Sequence, residues 1–209
     1  MPALLLGGLA WGAASTTALL ASEREWRLEG GIGLLLDPTT FAPPITLAAA
    51  GRVDSHMGAS PWRYRVQWFS NGWSEGCTGQ RGSSHLAALF GMTVQGGDSL
   101  SLALFAGPRG SVYSGMFVGG LDFGYGGSWQ VQGTWRSGPS SELEALATYS
   151  VEALGGQPAH GVNLALSVRL LAARLSYVFS VNGDWSPSLA SGSTIVPVAS
   201  GALRVGAQW

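Results

Sequence analysis

The chain of 209 residues has a formal net charge of −1, and 11% of its residues are charged, against roughly 25% in a typical soluble domain. All its cations are arginine; glycine supplies 32 residues and tryptophan nine, with a single cysteine. Such a composition excludes a disordered chain, a nucleic-acid binder with clustered positive charge, a disulfide scaffold and, because the glycines lack a period of three, collagen.

Residues 2–22, PALLLGGLAWGAASTTALLAS, carry no charge. They are long enough for a membrane helix. Leu4 to Leu6 followed by Ala21-Ser22 also have the outline of a secretory leader, without its positive start. Gly7, Gly8, Gly12, Thr16 and Thr17 weaken a helix, which favours short apolar strands or packed coil. Residues 1–24 are therefore set apart as an apolar segment, strand-, plug- or leader-like, from a barrel over 25–209.

From Glu25 the chain alternates with period two. Trp26, Leu28, Gly30, Ile32 and Leu34 share one face; Glu25, Arg27 and Glu29 share the other. Trp62, Tyr64, Val66 and Trp68 oppose Arg63, Arg65 and Gln67. Trp129, Val131, Gly133 and Trp135 oppose Gln130, Gln132, Thr134 and Arg136. Leu143, Ala145, Ala147, Tyr149 and Val151 oppose Glu142, Glu144, Thr148 and Ser150. The same rhythm runs through Val162–Leu170, Leu175–Val181 and Leu203–Trp209. Side chains of a strand point alternately to its two faces, so each segment reads as a half-buried strand.

Turn signals separate the runs: Asp37-Pro38, Gly96-Gly97-Asp98, Gly107-Pro108-Arg109-Gly110, Gly126-Gly127, Ser137-Gly138-Pro139 and Asn182-Gly183-Asp184. Asp54–Pro61 and Ser70–Ser83 read as longer loops. The expected fold is all-β: an antiparallel up-and-down transmembrane β-barrel of about 10–12 strands, each of about nine or ten residues.

Charge placement favours a membrane barrel over a soluble one. The polar face is sparse and mixed, as suits a narrow lumen where arginines and carboxylates pair. The other face is rich in Trp, Tyr, Phe and Leu, with aromatics near segment ends, as suits a lipid-facing band with aromatic girdles. Closure of the sheet also removes the unpaired edges that lipid does not tolerate. The lipid bilayer is thus the expected partner, together with other outer-membrane or periplasmic subunits, and no nucleic acid.

The chain ends GALRVGAQW, and Trp209 resembles the terminal aromatic residue of bacterial outer-membrane barrels. Residues 64–115, with Ser70-Asn71-Gly72-Trp73, and residues 179–209, with Ile195-Val196-Pro197 before a final strand, resemble barrel strands of TonB-dependent outer-membrane receptors. The resemblance implies a bacterial outer-membrane location. A receptor of that kind has a plug and about 22 strands. This chain has room for neither in full and shows no TonB box, so active uptake is not carried over.

Parity places Arg63, Arg65, Asp122, Arg136, Glu142, Glu144, Arg169, Arg174 and Arg204 on the lumen face, as a pore lining or as a network of pairs filling the lumen. Glu25 and Glu29 share that face. Three other features carry chemistry. Asp54, Ser55 and His56 are the residue types of a hydrolytic triad, so an outer-membrane lipid hydrolase is one alternative, although neighbours on a strand diverge and a polar loop explains them as well. His85 and His160 lack metal-ligand spacing. Cys77 stands alone. A soluble barrel holding an apolar ligand is the other alternative and would put Trp62, Tyr64, Trp129 and Trp135 in its cavity. The expectation is a non-enzymatic barrel without cofactor or metal, acting as a narrow channel or as a structural subunit of an outer-membrane assembly.

Overall fold

The computed structural model describes residues 24–36, 45–57, 60–74, 80–97, 99–114, 121–172, 176–190 and 194–209. The readings of the apolar segment before Arg24, of Cys77 and of Arg174 fall outside these residues.

Ten strands follow in chain order: β1 (Arg24–Leu36), β2 (Ile45–His56), β3 (Trp62–Ser74), β4 (Gln80–Gly96), β5 (Leu100–Ser114), β6 (Leu121–Gly138), β7 (Ser141–Leu154), β8 (Gln157–Leu170), β9 (Ser176–Ala190) and β10 (Thr194–Gln208). Each pairs antiparallel with its sequence neighbours, and β1 pairs with β10 to close the barrel. At the seam Trp26 and Trp209 exchange both backbone hydrogen bonds, at 2.8 and 3.0 Å. No described helix is long and apolar enough to cross a membrane; strands do so instead.

The strands run 12 to 18 residues, longer than the sequence pattern suggests. Several apparent punctuation marks lie inside them. Gly107-Pro108-Arg109-Gly110 is within β5, Gly126-Gly127 within β6 and Asn182-Gly183-Asp184 within β9. Asp54 to His56 end β2, so that connection begins only at Met57; of the expected loop Ser70–Ser83, Ser70 to Ser74 belong to β3 and Gln80 to Ser83 to β4; and Ile195-Val196-Pro197 lies inside β10. An unexpected tight turn joins β7 to β8, with Gly155 and Gly156 at φ 58° and 79°. Two consecutive left-handed residues fit the right-handed twist of a hairpin.

Glycines inside β-strands here serve curvature. A Cβ on Gly31 would lie 1.9 Å from the Leu203 carbonyl oxygen, and one on Gly126 equally close to that of Val151. Both face inward, where a strongly coiled sheet brings neighbouring backbones together. Outward-facing Gly30 and Gly133 would meet nothing within 4 Å.

The barrel is inverted relative to a soluble protein. Its outer face exposes Leu28, Ile32, Leu47, Leu104, Val131, Leu164, Leu166 and Val205. Trp26, Trp62, Trp135, Tyr177 and Trp209, all exposed, lie toward the end that carries the β2–β3, β6–β7 and β8–β9 connections. Phe123, Tyr125, Tyr149 and Trp185, also exposed, lie toward the other end. Water would not tolerate so continuous an apolar surface, whereas a lipid belt bounded by two aromatic bands requires it. Trp62, Trp129 and Trp135 are on the outside, 43%, 50% and 52% exposed, so they line no internal apolar cavity.

Candidate functional site: the charged interior of the barrel

Apart from Ser55, the buried polar residues described belong to the interior, and β7 organises them. Its inward face presents Glu142, Glu144, Thr148, Ser150 and Glu152, each buried. A carboxylate withdrawn from water needs a cation or several donors, and each of the three glutamates receives arginine from other strands.

The central group forms around Glu144. Arg27 of β1 donates from Nη1 to Glu144 Oε1 at 2.8 Å. Arg52 of β2 donates to both carboxylate oxygens, each at 2.8 Å, the forked geometry that makes arginine the strong partner of carboxylate. Gln132 of β6 adds a bond of 2.9 Å. In the closed ring β7 lies across the lumen from β1 and β2, so these contacts span the barrel. Arg27 reaches further: its Nη2 donates to Ser167 of β8 at 2.7 Å and to Ser180 of β9 at 2.9 Å, while its Nε pairs with Glu29.

Asp54 joins this group to the other wall. Arg52 Nε lies 2.7 Å from it, and Arg65 of β3 donates to it at 2.6 and 3.2 Å. Arg65, fully buried, also donates to Gln130 and Gln132 and stacks its guanidinium 4.1 Å from the Phe105 ring centroid. Leu89, Ala87, Ala103 and Phe105 pack beside it, filling the β4–β5 side of the lumen. Arg204 of β10 lies 3.3 Å from Glu29.

A second group sits farther along β7. Arg109 pairs with Glu152 and lies 2.7 Å from His85 Nδ1. Glu152 also accepts from Ser111 at 2.8 Å and Tyr113 at 3.1 Å. A guanidinium only donates, so His85 accepts at Nδ1. A third group forms the rim, where Glu142 binds Arg169 and lies 3.9 Å from Arg136. Between the first two groups remains a cavity of about 100 Å³.

Of the residues expected on the lumen face, Arg65, Glu144 and Arg204 are buried in the central group, and Glu142 and Arg169 meet at the rim. Arg136 stands at the end of β6 with its side chain 56% exposed, since β6 ends two residues later. Arg63 is half-buried. The Asp122 side chain lies outside the description. The alternation puts Arg27 on the face of Glu25 and Glu29, but the set read as lumen-lining omits it together with Arg52, Asp54, Arg109 and Glu152. Glu152 continues the parity of Glu142 and Glu144 and was detectable. Asp54 and Arg109 were hidden in stretches read as loop or turn, and Arg52 in a stretch just before Asp54 with no alternation to read.

The triad types do not assemble. Asp54 faces inward, neutralised by Arg52 and Arg65, while Ser55 follows it on the strand and points to the opposite face. His85 and His160 are not brought together: His85 is inside, whereas His160 is exposed outside and meets the Tyr149 hydroxyl at 2.7 Å.

The sequence matches no protein-family model and no characterised protein. In structure the chain is similar to the outer membrane protease OmpT of Escherichia coli, with a TM-score of 0.52 and 7% identity, over 90% of this chain and 96% of that one. It is also similar to Neisserial surface protein A, with a TM-score of 0.47 and 9% identity, over 90% and 97% of the two chains. The translocator domain of the autotransporter NalP from Neisseria meningitidis gives 0.39 and 12%, over 97% and 96%. At 7% identity the OmpT likeness is one of fold: the chain has the fold of an outer-membrane β-barrel.

Proposed function

We propose that this protein is a small barrel of the bacterial outer membrane whose lumen is held shut by internal ion pairs, serving as a structural membrane subunit and not as an open pore or an enzyme. One observation carries the reading: Glu144 on one wall takes Arg27 and Arg52 from the opposite wall. Buried charges so paired resist separation, because removing one partner leaves the other uncompensated in a low-dielectric interior. The apolar exterior supports the membrane location. The locked Asp54 and the outward Ser55 argue against hydrolysis. The receptor-like stretches 64–115 and 179–209 fit this reading as generic barrel strands, with no uptake function attached.

The test is single-channel recording of the purified protein in a planar bilayer. Inserted protein that stays electrically silent supports the reading. Steady ohmic steps from the unmodified barrel would sink it.

A further inference from the structure

We infer that the lumen contains a latent ion pathway along β8, β9 and β10, and that Arg27 is its bolt. The inference rests on the reading of the lumen as closed.

The two halves of the interior differ. The β3–β6 side is filled by Arg65, Leu89, Phe105 and Gln130, all buried. The β8–β10 side presents small inward residues, Gly161, Ala165, Ser167, Ser180 and Ala202, beside the larger Val178, Asn182 and Arg204. The internal cavity runs against this small-residue wall, at Asn163, Ala165, Ser167 and Asp184. Toward the rim the same side reaches solvent, since Glu25 is 48% exposed beside Arg169. Arg27 lies between cavity and rim, laid across the wall by its bonds to Ser167 and Ser180.

This bolt can withdraw without stranding a charge. Arg52 alone holds both oxygens of Glu144, and Arg27 keeps Glu29, two residues along its own strand. The charged groups thus have a second arrangement in which all remain paired, at the loss of Arg27's bonds to Glu144, Ser167 and Ser180. Two discrete packed arrangements are what a gate requires. Losing the Arg27 side chain altogether leaves Glu144 with Arg52 and Glu29 with Arg204, so the constriction opens with its remaining charges paired.

The experiment is planar-bilayer recording of Arg27→Ser and Arg136→Ser beside the unmodified protein in KCl, with heat-modifiable gel mobility to certify folding. Arg136 lies at the rim with its side chain 56% exposed, so its loss removes the same charge without touching the bolt. The expected result is a silent parent, a silent Arg136→Ser, and ohmic steps from Arg27→Ser. A folded but silent Arg27→Ser overturns the inference, as does equal conduction by Arg136→Ser, which would indicate general loosening. The double variant Ser167→Ala/Ser180→Ala removes only the hydroxyls that seat the bolt and decides the matter if Arg27→Ser does not fold. Brief openings support the bolt; unbroken silence rejects it. Conduction by the parent would sink the closed-lumen reading, whereas a silent parent with silent folded variants sinks only this one.

Discussion

Asp54 and Arg65 stand directly opposite one another in the β2–β3 register and share two hydrogen bonds inside the barrel. Replacing Asp54 by alanine leaves a fully buried guanidinium short of its carboxylate and also unpairs Arg52 Nε. The expected loss is about 3–5 kcal/mol of stability, the scale for breaking a buried pair. Adding Arg65→Met to Asp54→Ala restores part of it, because the second change removes the stranded charge. Urea unfolding in lipid vesicles measures both; a double variant less stable than Asp54→Ala contradicts the account.

The outer face has its own depth scale. Val131 lies mid-strand on the outside of β6, and Trp135 lies four residues nearer its end. Val131→Arg is expected to cost about 2–4 kcal/mol, and arginine at position 135 about 0–1 kcal/mol beyond the loss of the indole contacts. Insertion yield and unfolding in vesicles separate the two. Quenching of tryptophan emission by brominated lipid chains tests the same orientation from the tryptophans themselves.

Two glycines of β6 make opposite predictions. Gly126→Ala brings a Cβ against the Val151 carbonyl oxygen and is expected to reduce the folded, heat-modifiable fraction sharply. Gly133→Ala meets open space and is expected to fold as the parent does. Equal folding of the two would mean that close backbone approach at Gly126 does not constrain the barrel.

Hydrolysis offers a simple check. Ser55 and Asp54 project from opposite faces of β2, so Ser55→Ala is expected to leave ester and phospholipid hydrolysis at the parent's background. A hydrolytic rate that disappears with Ser55→Ala would restore the triad.

The alternation of Trp129, Val131 and Trp135 against Gln130 and Gln132 is local information, written into consecutive residues, and it sufficed to identify strands, faces and a membrane barrel. Gly107, Gly126 and Gly183 misled because glycine and proline mark turns in most chains, yet here they sit in long strands. Gly107 and Gly126 face the lumen where the sheet bends, and Pro108 sits on the outer face. Turn and loop signals removed Asp54 and Arg109 from view for the same reason, whereas Arg52 follows Ala48, Ala49, Ala50 and Gly51, a run with no polar alternation to mark a strand. What the sequence determined by itself was which side chains turn away from lipid. Which of these meet was decided only by the tertiary structure. Arg27 and Glu144 are 117 positions apart, and they touch because ten strands close with β1 against β10, a ring geometry that no local pattern encodes.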